Sequence, residues 1–99
     1  PLSITACNNV YGTVSGKGTF TLGTSSVSIA GGNGNVTYTC SKVSGNLGST
    51  MTQSGNSATF KVASPNLNGI SGTDTYRWTV SDGVSSAYRD FSVIAGTPA

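Results

Sequence analysis

Two runs of residues near the carboxyl end of the chain, 73–80 and 87–93, constrain the fold more than any other feature. In the first run Tyr76, Trp78 and Val80 occupy every second position, and the second run alternates in the same way. A period of two is typical of a β-strand, because successive side chains point to opposite faces of a sheet. The sequence therefore predicts two neighbouring strands, each with one face toward a core.

The segment between these runs contains an Asp-Gly step at residues 82–83, which is typical of the turn that joins two antiparallel strands. A four-residue loop around this step pairs Ser81 with Ser86. In that register Arg77 faces Asp90 across the strands, and opposite charges at such positions attract each other. The sequence predicts an antiparallel hairpin that carries a structural ion pair.

Shorter alternating segments fill the rest of the chain. They are residues 2–6, 19–22, 27–30 and 36–41, a weaker strand near Met51, and residues 58–62. Turns rich in Gly and Asn separate them, and the chain contains 14 Gly residues and few strong helix formers. About seven short strands at this spacing predict an all-β chain folded as an antiparallel sandwich. The aromatic residues predicted to fill its core are Phe20, Tyr38, Phe60, Tyr76, Trp78 and Phe91.

Charge is sparse, at 8% of the residues, with a net charge of +2 and an isoelectric point near 8.8. The five cations are scattered along the chain, whereas a nucleic-acid surface needs Lys and Arg clustered on one face. No stretch approaches the roughly 18 consecutive apolar residues of a membrane-spanning helix. The sequence therefore predicts neither nucleic-acid binding nor membrane insertion.

The inventory of side chains leaves little for catalysis. The chain has no His, and its three acidic residues are Asp74, Asp82 and Asp90. Asp90 is assigned to the ion pair with Arg77, Asp82 to the hairpin tip, and Asp74 to a turn at the other end of the strand, so no two carboxylates can cooperate. Two cysteines without His do not make a typical zinc site, and there is no Asp-x-Asp-x-Asp run for calcium. We expect no enzyme activity, no catalytic residues, no metal site and no cofactor.

Cys7 and Cys40 are the only thiols. Cys40 shares the parity of Val36 and Tyr38 and is predicted to point into the core, whereas Cys7 is out of phase with the apolar positions of its strand. A slip or bulge at residues 8–9 would turn Cys7 inward. Two states therefore stay open, a bridge between Cys7 and Cys40 or a pair of reduced thiols, and we expect the reduced pair.

The segment Tyr76-Arg77-Trp78 resembles the start of strand F in immunoglobulin-like sandwiches, where a tyrosine lies two positions before a core residue. Trp78 stands where antibody domains have a cysteine, and Cys40 stands where they have the strand C tryptophan. A closer resemblance, over about residues 26–94, is to the bacterial and bacteriophage modules of the immunoglobulin-like and polycystic-kidney-disease type. It is carried by Gly31–Tyr38, Val43–Gly45, Ser57–Phe60 and Val80–Gly83.

This resemblance implies an immunoglobulin-like antiparallel β-sandwich of about seven strands in a phage virion or a bacterial surface protein. The composition predicts one domain at residues 1–95, followed by a linker or tail at residues 96–99. We expect the domain to be part of a longer protein, located on the virion surface or on the bacterial extracellular surface.

Binding is the chemistry that remains. Tyr88 and Tyr11 are predicted to be exposed, and Tyr88 shares its outward face with Arg77 and Thr79. An exposed ring beside hydroxyl groups can stack on a sugar ring and bind its hydroxyls. We expect a non-enzymatic accessory adhesion module that binds host-surface carbohydrate weakly through Tyr88, Arg77, Thr79 and Tyr11, with many copies acting together.

Two alternatives to adhesion stay open. The first is a structural spacer or decoration domain that extends or stabilises the parent virion or surface assembly. The second is a protein-protein module that pairs through an unprotected edge strand and forms a persistent dimer.

Overall fold

A computed structural model describes residues 2–32 and 34–97 of the chain and shows two packed β-sheets of four strands each. The strands are β1 (Ser3–Cys7), β2 (Val10–Thr13), β3 (Gly18–Ala30), β4 (Thr37–Gly45), β5 (Thr50–Ser54), β6 (Ser57–Ser64), β7 (Gly72–Ser81) and β8 (Ser86–Gly96). The first sheet has the order β1-β3-β6-β5 and the second has the order β2-β8-β7-β4. Neighbouring strands are antiparallel except for β2 and β8, which are parallel. The domain is an immunoglobulin-like β-sandwich, which confirms the predicted fold class.

The predicted hairpin is present in the predicted register. β7 and β8 pair from Gly72 with Ala95 to Ser81 with Ser86, and Arg77 lies opposite Asp90. The Asp82 carboxylate accepts hydrogen bonds from backbone amides of the turn that follows it. A short polar side chain that binds its own turn in this way stabilises the reversal of the chain.

β3 is one strand of 13 residues, where the sequence predicted two strands separated by a turn. The pairing of β3 with β6 shifts by one residue between Thr21 and Gly23. Leu22, the residue between them that has no register partner, is buried, and Ser25 and Val27 are buried after the shift. A β-bulge therefore changes the phase of the alternation while the strand continues. The prediction of two strands was wrong because a bulge and a turn leave the same pattern in a sequence.

The chain passes from the first sheet to the second at Asn8 and Asn9, which is why the predicted break occurs there. The Asn8 side chain accepts from the Ser26 amide at 2.8 Å and donates to the Thr24 carbonyl at 3.1 Å, so it continues the first sheet. The Asn9 side chain accepts from the Ser92 amide of β8 at 3.0 Å and so begins the second. This switch adds the short strand β2, which the sequence prediction missed and which brings the number of strands to eight.

Aromatic side chains from both sheets fill the core, as predicted. Trp78 and Phe60 are fully buried, and Phe91 and Tyr76 are nearly so. The Phe60 ring meets the Tyr76 ring edge to face, with 4.7 Å between centroids, and the Phe91 ring with 5.6 Å. Such contacts add stabilisation beyond the burial of apolar area. Tyr38 and Phe20, also predicted inside, are only partly buried against this cluster.

The Trp78 indole joins the two sheets through a polar contact. Its Nε1 donates to Ser25 Oγ at 3.3 Å, and the Ser25 hydroxyl donates to the Asn8 carbonyl at 2.8 Å. Ser25 lies on β3, in the position of strand B, which carries one cysteine of the bridge in antibody domains. Cys40 is the register partner of Trp78 on β4, in the position of strand C. The positions of cysteine and tryptophan are thus exchanged, as the sequence comparison indicated.

The domain is elongated, with principal extents of 49, 19 and 18 Å. At one end the Leu2 amide donates to Ser85 Oγ in the β7–β8 turn at 3.4 Å. At the other end the Val14 amide donates to the Gly96 carbonyl at 2.8 Å. β8 includes Gly96, Thr97 follows the strand, and residues 98 and 99 of the predicted tail lie outside the described residues.

Candidate functional site

Three of the predicted binding residues lie together on the outer face of β7 and β8. Tyr88 is the register partner of Thr79, and Arg77 is two residues before Thr79 on β7. The core residues Trp78 and Val80 alternate with them, so the fold that buries the aromatic cluster also turns Arg77 and Thr79 outward. Tyr88 is 65% exposed. We refer to these three residues and Asp90 as the Tyr88 patch.

Arg77 organises the Tyr88 patch. Its Nε donates to Asp90 Oδ1 at 2.7 Å and its Nη2 to Asp90 Oδ2 at 3.4 Å. Its Cζ lies 4.4 Å from the centroid of the Tyr88 ring, which is cation–π distance. A forked ion pair to Asp90 limits the rotation of the guanidinium and holds it against one face of the ring. The rest of the ring is open to a ligand.

The ion pair also fixes the charge of the patch. The hydrogen bond from Arg77 lowers the pKa of Asp90 below its usual value, and the same bond raises the pKa of Arg77. Both side chains are charged at neutral pH and cancel each other. The patch therefore offers an aromatic face, a hydroxyl, hydrogen-bond donors and carboxylate acceptors with no net charge. This combination suits a neutral, hydroxyl-rich ligand better than an anion.

Tyr11 is not part of the Tyr88 patch. It is 66% exposed and pairs with Ile94 on β8, six residues beyond Tyr88. Six residues of extended strand span about 20 Å. The structure brings Tyr88, Arg77 and Thr79 together and leaves Tyr11 near the opposite end of the same sheet. Asp90, which sequence reasoning treated only as a structural partner, belongs to the patch, and the hairpin register could have placed it there.

A second cluster of polar side chains surrounds Asp74. The sequence predicted that Asp74 turns the chain, and this prediction is wrong. Asp74 lies within β7 and is fully buried. Its carboxylate accepts from the Leu47 amide at 2.9 Å, from the Ser49 amide at 2.9 Å, and from the Ser49 hydroxyl. Lys42 Nζ lies 3.2 Å from Asp74 Oδ2. The Asp74 cluster, comprising Asp74, Ser49, Lys42 and Tyr76, thus fixes the β4–β5 loop against the core.

The Asp74 cluster has the residue types of a hydrolytic site but not its geometry. Ser49 Oγ donates to Asp74 and lies 2.9 Å from the Tyr76 hydroxyl, which in turn contacts the Ser49 carbonyl at 3.2 Å. Burial tends to raise the pKa of Asp74, but the bonds from Ser49, Leu47 and Lys42 outweigh it and leave the pKa below its usual value. Asp74, Ser49 and Tyr76 are buried and bonded to one another, and the partly exposed Lys42 is paired with Asp74, so no open position remains between them for a substrate. The cluster is best described as a loop anchor.

The two cysteines lie on different sheets, and both are free. Cys40 is buried, as predicted, and burial raises the pKa of its thiol to about 12. Cys7 is partly buried against the core, because the pairing of β1 with β3 shifts between Ile4 and Ala6. The irregularity that turns Cys7 inward lies earlier than residues 8–9, where the sequence prediction placed it.

We expect both cysteines to be reduced and to react with an alkylating reagent in denaturant without reductant. Intact-mass measurement should then show two added labels. Under native conditions Cys40 should react far more slowly than Cys7, because its thiol is buried and its pKa is raised to about 12. A chain that takes up no label in denaturant would instead contain the Cys7–Cys40 bridge.

Residues 2–32 and 34–97 contain no group of three or more His, Cys, Asp or Glu side chains that could hold a metal ion. In the same part of the chain, no helix is long and apolar enough to cross a membrane.

Comparison with known proteins gives one structural likeness. The domain is similar to the M1 domain from titin, with a TM-score of 0.47 and 12% sequence identity over 98% of this chain and 99% of that domain. No protein-family model matches the chain, and no curated protein matches it.

Proposed function

We propose that this domain is a non-enzymatic adhesion module of a phage virion or bacterial surface protein, and that the Tyr88 patch binds host-surface carbohydrate weakly. The observation that carries the proposal is the exposed Tyr88 ring, held from one side by Arg77 at 4.4 Å and bordered by Thr79 on the neighbouring strand. Sugar rings stack on such aromatic faces, and their hydroxyls bind adjacent polar groups.

The shape of the surface sets the expected strength of carbohydrate binding. One aromatic ring on an open sheet face buries little area, so a single domain is expected to bind at millimolar strength at best. Many copies on one particle convert later contacts into intramolecular ones and raise the apparent affinity by about a hundredfold or more. Adhesion through this patch therefore depends on display in multiple copies.

A structural spacer or decoration domain is the second candidate. It is supported by the elongated shape, with a long axis of 49 Å, and by the positions of Leu2 and Gly96 at opposite ends of that axis. A domain of this form adds length when it is placed between two others. The spacer needs no ligand, so loss of the Tyr88 ring should impair an adhesion module and leave a spacer unaffected.

Replacement of Tyr88 by alanine is expected to reduce retention on the ligand strongly without affecting the fold. Wild type and Tyr88→Ala, displayed in many copies on particles, would be compared on bacterial cells and on polysaccharide arrays. We expect wild-type retention to exceed that of the variant by about tenfold or more, because one stacking ring carries the contact and its effect multiplies over many copies.

Tyr11→Ala provides the matched control, because Tyr11 is an equally exposed tyrosine on the same sheet. Its retention should equal that of wild type. If wild type itself shows negligible retention, the adhesion proposal fails and the spacer remains. If Tyr11→Ala loses retention and Tyr88→Ala keeps it, the binding site lies at Tyr11.

A further inference from the structure

β4 forms an edge of the second sheet, since it pairs only with β7. Antiparallel strands alternate between residues that bond to the partner strand and residues whose backbone groups point away from it. The Cys40 amide bonds to a side chain outside the sheet, so Cys40 belongs to the outward set. By alternation the backbone groups of Tyr38 and Lys42 also point outward. These groups are the ones an added strand would use.

Gln53 of β5, in the other sheet, occupies the centre of this edge. Its Oε1 accepts from the Cys40 amide at 3.0 Å, and its Nε2 donates to the Tyr38 carbonyl at 2.7 Å. The Nε2 also donates to the Gly55 carbonyl at 3.0 Å, which holds the side chain in place. One amide group thus satisfies the donor and the acceptor that a neighbouring strand would satisfy. On either side of it too few backbone groups remain for stable strand pairing.

The other protection on β4 is a bulge between Lys42 and Ser44, which lies beyond the stretch from Tyr38 to Lys42. Lysine is a common protection of edge strands, but the Lys42 ammonium is drawn to the buried Asp74 at 3.2 Å. The outer face of the strand carries the small hydroxyl side chains of Thr39 and Ser41. These side chains do not obstruct an approaching strand. Gln53 is therefore the residue that keeps the edge closed.

We propose that Gln53 closes the β4 edge against strand pairing in the monomer, and that its removal lets a second copy of this chain join antiparallel through β4. A two-fold axis at Cys40 places Cys40 opposite its own copy, and Lys42 opposite Tyr38. In this register every outward amide and carbonyl of the three residues finds a partner. The two Lys42 charges do not meet, so repulsion does not oppose the pairing.

The test compares wild type with Gln53→Ala, and with Thr52→Ala as a matched control, since Thr52 is the exposed neighbour of Gln53 on β5. Analytical ultracentrifugation over a series reaching millimolar concentration gives the dimer dissociation constant. We expect wild type and Thr52→Ala to stay monomeric, and Gln53→Ala to lower the dissociation constant by about tenfold or more, because two backbone groups are released for pairing.

Amide hydrogen exchange identifies the surface. In the wild-type monomer the Cys40 amide should be protected by Gln53. In Gln53→Ala it should exchange fast at low concentration and become protected, together with the Lys42 amide, as the concentration rises. Gln53→Ser serves as a second variant, because its hydroxyl is too short to reach β4.

Three results overturn the proposal. In the first, Gln53→Ala and Gln53→Ser stay monomeric at the highest concentration. In the second, they dimerise while the Cys40 and Lys42 amides stay unprotected, which places the contact elsewhere. In the third, neither variant folds, which makes Gln53 a residue that the monomer requires and not a removable cover.

Discussion

Replacing Trp78 with alanine is expected to lower the free energy of unfolding by about 3 to 5 kcal/mol. The side chain is fully buried, and its ring stacks on Phe91 with 6.4 Å between centroids. Alanine leaves a cavity between the sheets and also removes the donor to Ser25. The loss is a large fraction of the stability of a small domain. Denaturant unfolding followed by circular dichroism measures it.

Leu67→Ala is the control for this measurement, because Leu67 is 81% exposed and its truncation leaves no cavity. Its effect should stay within about 0.5 kcal/mol. A loss below about 1 kcal/mol for Trp78→Ala would contradict the central position of the indole in the core.

Asp74→Ala is expected to cost about 3 to 5 kcal/mol, because it removes a fully buried carboxylate, and each buried donor left without a partner costs about 1 to 3 kcal/mol. The substitution leaves the Leu47 and Ser49 amides without an acceptor and leaves Lys42 without its counter-charge. Asp90→Ala, which breaks the exposed pair with Arg77, should have a much smaller effect, because solvent screens that pair. Equal effects for the two variants would contradict the assignment of Asp74 as the loop anchor.

The Asp74 contribution should also depend on pH. The pKa of Asp74 is lowered in the folded state, so the unfolded chain takes up the proton at a higher pH than the folded chain does. The stabilisation is therefore fully present above the ordinary pKa of aspartate, about 3.9, and is lost as the pH falls through the lower folded-state pKa. The difference in unfolding free energy between wild type and Asp74→Ala should shrink on acidification. A difference that stays constant down to the acid limit would show that the charge of Asp74 is not involved.

The geometry of Gly45 explains why this anchor tolerates little change around it. Gly45 has a φ of 138°, a backbone conformation that residues with a side chain rarely adopt. A Cβ atom at this position would overlap the Asp74 carboxylate. The loop that follows β4 can approach Asp74 only because Gly45 has no side chain.

Local patterns in the sequence predicted those features that depend on neighbouring residues. The alternation around Trp78 and the turn at residues 82–83 gave the register of β7 and β8, and that register placed Arg77 opposite Asp90 and Tyr88 outward. The Tyr88 patch was accessible to sequence reasoning because all of its members lie on one hairpin, where pairing follows from the turn.

Contacts between distant segments could not be predicted in this way. Asp74 binds Ser49 from 25 residues away and Leu47 from 27 residues away, and nothing local marks these partners. The same holds for Gln53, whose role depends on β4 and β5 lying at adjacent edges of two different sheets. The bulge at Gly23 was missed for another reason, since one inserted residue shifts the alternation just as a turn does.

The contact of the Trp78 indole with Ser25 has a mechanical consequence. It joins the sheets without a covalent bond, and both cysteines are free, so the unfolded chain contains no closed loop. When a folded domain 49 Å long is pulled from both ends, the unfolded chain can therefore extend to its full contour length, about 330 Å for a chain of this length. A bridge between Cys7 and Cys40 would keep the residues between them from extending, and this would shorten the unfolded chain by about a third. A domain built in this way unfolds to its full length and refolds without any oxidation step.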